Sequence, residues 1–225
     1  MNLTYFYHTY NSTISNERCV EVSLGMEFVK KNPNFIEVGA VLPYYGIDAK
    51  RIIDCFDPKG DDEKRLSECD IRGENVLCIS TLEHFGTSEY GNKKRSNLEA
   101  LAGLLQIITT SKNYLITIPL GFNKELDKQL AFILPELNCY GFRRSIETPL
   151  EWKMVRYIKK EHFDEENLYN HQGFSYGNEW IYGANFIIVI SSEKLQEEIT
   201  FSPRKITHSI DGDEYNIYKP ILEPR

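Results

Sequence analysis

The chain has 225 residues, of which 41% are hydrophobic, 26% charged and 12% aromatic, a composition that supports a packed core and excludes disorder over the whole length. Lys and Arg number 26 against 33 Asp and Glu, a net charge of −7; this disfavours a sequence-blind nucleic-acid binder, because phosphate neutralisation calls for a basic surface. The longest apolar run, Ala184 to Ile190, is strand-sized and short of the roughly 20 residues of a membrane-spanning helix, and Met1 to Val20 is polar and Tyr-rich, so neither a span nor a secretory signal is expected.

In chain order, Val20, Leu24, Phe28 and Val29 recur at helical spacing and predict an amphipathic helix over residues 17–31, stopped by Asn32-Pro33-Asn34. Phe35–Val38 reads as a strand ending at Gly39, and Ile52–Phe56 as a second, closed by Asp57-Pro58-Lys59-Gly60. Leu66–Cys69 suggests a third strand and Asn75–Ser80 a fourth. Ser96-Asn97-Leu98-Glu99 has the form of a capping box ahead of a helix that carries Leu98, Leu101, Ala102, Leu105 and Ile108 on one face. Tyr114–Ile118 is the next strand, and a helix follows from Lys124 to Leu134. Tyr140–Ile146, Glu151–Tyr157 and Ala184–Ser191 read as extended. Continuous apolar strands separated by helices imply an α/β fold with a largely parallel sheet covered on both faces.

After Ser192 the composition changes, and Asp211-Gly212-Asp213 between Ile206–Ile210 and Glu214–Tyr218 signals a hairpin. The expected organisation is one domain over residues 1–199 and an appendage over 200–225. The cysteines are five, scattered and without a C-x-x-C pair; three fall in segments read as strands, and reduced thiols in a cytoplasmic protein are expected rather than a disulfide frame or zinc site.

In an open α/β sheet, ligands bind beyond the carboxyl ends of the strands, near the point where strand order reverses. The residues expected there are Gly39-Ala40, Asp57, Asp70-Ile71, Ser80 to His84 and Pro119 to Asn123. A glycine at the first turn admits close backbone approach. An acid after the second strand suits two vicinal ribose hydroxyls, and an Asp-Ile pair suits an adenine amino group and ring.

With these features the chain resembles the class I S-adenosylmethionine-dependent methyltransferases. Phe35-Ile36-Glu37-Val38-Gly39 is similar to the family's first motif, Phe56-Asp57-Pro58 to its ribose-binding strand end, Cys69-Asp70-Ile71 to its adenine-binding turn, and Asn75 to Gly86 to its fourth-strand motif. The run Ile79 to His84, with Asn16-Glu17-Arg18, Pro119 to Asn123, Asp127 and Tyr182-Gly183-Ala184-Asn185, also resembles a subgroup associated with surface-glycan (polysaccharide) biosynthesis. The resemblance covers roughly residues 15–191. It implies a Rossmann-like sheet with an antiparallel last strand and S-adenosyl-L-methionine as cofactor. Two features depart from the pattern: the first turn has one glycine before Tyr44, and residues 39–50 leave only about a dozen positions for a parallel crossover, so the early helices must be shortened.

The cofactor-binding expectations are Glu37, Gly39, Asp57, Asp70, Ile71, Ser80 and Thr81. For Glu37 the alternative is a strand-end acid capping local amides, and Asp54 is the rival of Asp57 for the ribose. His84 is the expected general base, since an alcohol acceptor loses its proton as its oxygen attacks the methyl, and an imidazole titrates in the useful range; a backbone-bonded structural His is the alternative. Glu83 would orient His84, act as base itself, or interact with free helix amides. Asn123, Arg143 and Trp180 are expected on the acceptor side, Asn123 also being a natural cap for the helix after it. No metal is assigned.

The expected activity is methyl transfer to a small-molecule, nucleotide-sugar or glycan-linked acceptor, on a hydroxyl, without nucleic-acid partners. The alternative is a non-catalytic Rossmann-like module that binds a nucleotide or a partner. G-x-G-x-x-G is absent, which weakens a nicotinamide reading, and the place of the Asn/Asp-Pro-Pro-aromatic motif of amino-methylating DNA enzymes reads Ser80-Thr81-Leu82-Glu83.

Overall fold

A computed structural model of the chain describes residues 1–8, 10, 16–61, 64–87, 96, 98–145, 151–163, 183–195, 198–202, 207–210 and 213–216. In chain order the elements are β1 (Asn2–Thr4), α1 (Arg18–Lys31), β2 (Phe35–Val38), β3 (Arg51–Ile53), β4 (Asn75–Ile79), α2 (Glu99–Thr110), β5 (Asn113–Pro119), α3 (Lys124–Ile133), β6 (Cys139–Arg144), β7 (Trp152–Val155), β8 (Phe186–Ser191), β9 (Thr200–Ser202), β10 (Thr207–Ile210) and β11 (Asp213–Asn216). Seven strands form one sheet in the order β3-β2-β4-β5-β8-β6-β7.

The strands alternate their side chains between two apolar layers. Ile36, Val38, Val76, Cys78, Ile116, Ile118, Ile188 and Ile190 face α2 and α3. Phe35, Leu77, Ile79, Leu115, Ile187 and Val189 face α1. A sheet buried on both faces needs apolar residues at every position, which is why these strands read as unbroken apolar runs. Gly25 lets α1 lie close on β4, since a Cβ there would come within 2.8 Å of the Ile79 methyl.

The sheet is mostly parallel and mixed, with the antiparallel last strand that the resemblance implies at β8 and a further antiparallel strand, β7, that was not expected. The neighbours β3, β2, β4 and β5 run parallel, whereas β8 is antiparallel to both β5 and β6, and β7 is antiparallel to β6. Apolar runs report burial on both faces but carry no information on strand direction.

Leu66–Cys69 is not a strand: Leu66–Glu68 is a 3-10 turn. Glu68 accepts the Arg65 amide at 3.0 Å, and the Gln106 side chain takes up the carbonyls of Leu66 and Cys69 at 3.0 and 3.1 Å, leaving no ladder to join. The second strand stops at Ile53 because Asp54 Oδ1 accepts the amides of Phe56 and Asp57, each at 3.0 Å, and turns the chain; Cys55 and Cys69 accordingly lie outside strands.

The capping box at Ser96 does not form. Leu98 precedes α2 without a side-chain cap, and Glu99 instead pairs with Arg65 at 3.2 Å. Between β2 and β3 stands only the 3-10 turn Leu42–Tyr45.

Outside the main sheet, β1 and β9 pair in parallel, bringing Thr200–Ser202 against the start of the chain. Strands β10 and β11 pair antiparallel, Ile210 opposite Asp213. Among the described residues no helix is long and apolar enough to cross a membrane, and the five cysteines form no disulfide.

Candidate functional site

The carboxyl ends of β2, β3 and β4 open onto a cavity of about 470 Å³. It lies where the chain leaves β2 toward β3 on one side and β4 on the other, the switch point at which α/β sheets bind ligands, and its size is that of small-molecule sites. Gly39 forms its floor with φ +84°, and a Cβ there would overlap the Thr81 side chain, so only glycine lets these two strand ends close on each other.

Two carboxylates from the end of β3 line the cavity, Asp54 and Asp57. Asp54 Oδ2 accepts the Ala40 amide at 3.0 Å, tying the two strand-end turns together. Asp57 accepts from the Tyr44 hydroxyl at 3.0 and 2.9 Å and from the Lys59 amide at 2.8 Å. Ser80, Thr81 and His84 enter from the turn after β4, and Phe85, Ala102 and Gly103 from the 3-10 turn and α2 beyond it. The His84 ring lies 4.6 Å from that of Phe122.

Of the expected residues, Gly39, Asp57, Ser80, Thr81 and His84 come together here, with Asp54 beside Asp57. The other expected residues that are described do not line the cavity. Glu37 is fully buried and accepts the Leu42 amide at 2.9 Å; burial pushes its carboxyl up to about 8. Asp70 sits on the surface in a two-pronged pair with Arg72, at 2.9 and 2.6 Å, which holds its carboxyl well below the usual range. Ile71 belongs to the core against α2. Both depart from the cavity because the expected third strand, which would have aimed them there, is a turn.

Glu83 is buried behind His84, its Oε1 3.6 Å from Nε2, beyond hydrogen-bond range, and burial pushes its carboxyl well above the ordinary range. Asn123 caps α3 by accepting the Leu126 amide at 3.1 Å, and its Nδ2 donates to the Glu83 carbonyl at 3.0 Å, so it braces the turn that carries His84. Arg143 lines a separate recess with Glu161, His162 and Phe186. Trp180 lies outside the described residues.

Glu17 and Arg18, which belong to the subgroup resemblance without a stated role, and Glu21, which has none, pack beside this site. Asn16, Glu17 and Arg18 line the cavity from the start of α1. Glu17 accepts the Ala184 amide at 2.9 Å, and burial together with the neighbouring Glu21 raises its carboxyl to about 7. A signal was available: Glu17 and Glu21 occupy the same helical stripe as Val20, Leu24 and Phe28, and acids on an apolar stripe demand partners.

No protein-family model, curated protein or solved structure matches this chain. The chemical reading therefore rests on the cavity itself: acids at one end for hydroxyl groups, a glycine floor for close approach, and an imidazole at its wall.

Proposed function

We propose that this cavity binds S-adenosyl-L-methionine and that the chain is a methyltransferase acting on a hydroxyl of a small-molecule, nucleotide-sugar or glycan-linked acceptor. The observation that carries this reading is the convergence of Gly39, Asp54, Asp57, Thr81 and His84, from the ends of three neighbouring parallel strands, on one cavity. The antiparallel final strand of the sheet, β8, agrees with the Rossmann-like methyltransferase resemblance.

The residues fit the cofactor. Asp54 and Asp57 are the acceptors for ribose hydroxyls, with Asp54 now an equal of Asp57. Apolar Phe56, Leu66 and Ala102 around them suit a flat base better than the distant Asp70 and Ile71. The glycine floor at Gly39 leaves room for backbone approach. When bound, the cofactor supplies an electrophilic methyl on a sulfonium. The work of the chain is then alignment, which supplies much of the acceleration of a displacement, and removal of the acceptor proton by His84. Glu83 is buried behind His84 and does not line the cavity, so the base role falls to His84.

A second reading, a nucleotide-binding module without turnover, draws on Glu37: the acid of the first motif is spent on the Leu42 amide and does not reach the cavity.

Titration with S-adenosylhomocysteine and S-adenosylmethionine by calorimetry and thermal shift tests the reading. A ligand at 100 times its dissociation constant adds about 2.7 kcal/mol of stability, so saturation should raise the melting temperature clearly. Absence of heat and of any shift would reject it, and binding without methylation of any hydroxyl acceptor would select the second reading.

A further inference from the structure

Ser80 has φ +39°, the only positive value outside glycine among the described residues. In that left-handed region a side chain crowds the backbone, and such conformations persist where surrounding contacts over-determine them. The residue follows β4 and opens the turn that sets Thr81 against Gly39 and brings His84 to the cavity wall.

The contact that holds it comes from α1. The Ser80 hydroxyl donates into the Glu21 carboxylate, lying 2.6 and 2.7 Å from its two oxygens. Thr117 of β5 donates to the same carboxylate at 2.8 Å, and its carbonyl accepts the Ser80 amide at 3.1 Å. Glu21 is fully buried. Arg18 is a looser companion, its Nε 3.9 Å from Oε2, while its Nη1 donates to the Ile79 carbonyl at 3.3 Å. The carboxylate is thus joined by short bonds to two hydroxyls, that of Ser80 just after β4 and that of Thr117 within β5, and only distantly to Arg18. An acid retained solely to neutralise Arg18 would show the reverse.

We propose that Glu21 is a positioning residue, whose carboxylate locks Ser80 in its left-handed conformation and so fixes the Thr81–His84 turn at the cavity. The consequence for ligand binding rests on the methyltransferase reading; the conformational lock does not.

Substitutions at position 80 separate this lock from a general packing role. Glycine adopts φ +39° without a side-chain penalty, so Ser80→Gly makes the clamp redundant. Ser80→Ala removes the clamp but keeps the crowding. In the full chain without ligand, amide hydrogen exchange over residues 80–86, referred to the α2 amides as internal standard, should accelerate about tenfold or more in Glu21→Ala and Ser80→Ala. It should stay near the wild-type rate in Ser80→Gly and in the double variant Glu21→Ala/Ser80→Gly. Glu21→Gln, which keeps an oxygen acceptor, should be intermediate.

Unchanged exchange in Ser80→Ala, or equal acceleration in Ser80→Ala and Ser80→Gly, overturns the proposal. The position-80 pair decides the matter even where Glu21→Ala does not fold. Binding of S-adenosylhomocysteine, followed by titration, should be weaker in Glu21→Ala than in wild type. A wild-type chain that does not bind that ligand counts against the methyltransferase reading alone and leaves the exchange result to judge Glu21.

Discussion

The Tyr44 hydroxyl is held between the two oxygens of Asp57, at 3.0 and 2.9 Å, and so fastens the 3-10 turn after β2 to the turn after β3. The ring of Tyr44 stacks on Tyr10 at 4.7 Å and carries the Lys59 ammonium 4.3 Å from its centroid. Bonding to Asp57 raises the Tyr44 phenol to about 12, so it remains a donor throughout the neutral range. Asp57 thus accepts from the tyrosine and from the Lys59 amide, and in the proposed reading it also takes the ribose hydroxyls. Asp57→Ala should weaken S-adenosylhomocysteine about tenfold or more, the loss expected for charge-assisted hydrogen bonds. Tyr44→Phe, which frees the carboxylate without removing it, should change affinity far less. Calorimetric titration of both variants checks this; equal affinity in Asp57→Ala and wild type would move the ribose contact to Asp54.

Asp70 makes the opposite prediction. Its carboxylate lies on the surface, bound to Arg72, and no part of it lines the cavity. Asp70→Asn should leave ligand affinity within about twofold of wild type, because exposed ion pairs contribute little and this one contacts no ligand group. A large loss in that variant would return the adenine contact to the segment after the 3-10 turn and contradict the cavity as drawn.

His84 stands at the cavity wall beside Phe122. In the proposed reading, replacing it by alanine removes the general base, an effect of about 10²–10⁴-fold on the chemical step, while Asp54 and Asp57 stay in place. We expect turnover to fall by that order with S-adenosylmethionine affinity nearly unchanged. Steady-state rates and direct titration on the same preparation separate the two, and full turnover in His84→Ala would assign His84 a structural role.

What the sequence makes legible follows from what one-dimensional pattern can encode. Phe35–Val38, Asn75–Ile79 and Phe186–Ser191 are plain because strands buried on both faces are apolar at each step, and α1 is plain from its spacing. The antiparallel entry of β8 between β5 and β6 is a property of partners far apart in the chain, and no local signal fixes it. Leu66 and Cys69 are buried as a strand's residues would be, yet their carbonyls go to Gln106 on α2. That single substitution of side chain for ladder removes Asp70 and Ile71 from the site. Gly39 and Thr81 reach the cavity because they lie within two residues of a strand end, and Asp57 and His84 because the short turns after Ile53 and Ile79 keep them there.

Glu37 supplies a test of the interior that needs no ligand. It is fully buried, one oxygen accepts the Leu42 amide at 2.9 Å, and the other has no hydrogen-bond partner among the described residues. Burial raises its carboxyl from the ordinary 4.5 to about 8. Between those values the folded chain keeps a proton that the unfolded chain has released. Stability from this group is therefore complete below the lower value and declines as pH rises toward the upper one. Glu17 and Asp127, each raised to about 7 chiefly by burial, act in the same direction over a narrower window. Glu37→Gln keeps an oxygen for the Leu42 amide but has no proton to lose. Urea unfolding at about pH 5 and about pH 8 should show a smaller fall in stability for the variant than for wild type. An equal fall in both would mean that Glu37 is charged in the folded chain, which a carboxylate with one bonded and one unpartnered buried oxygen does not permit.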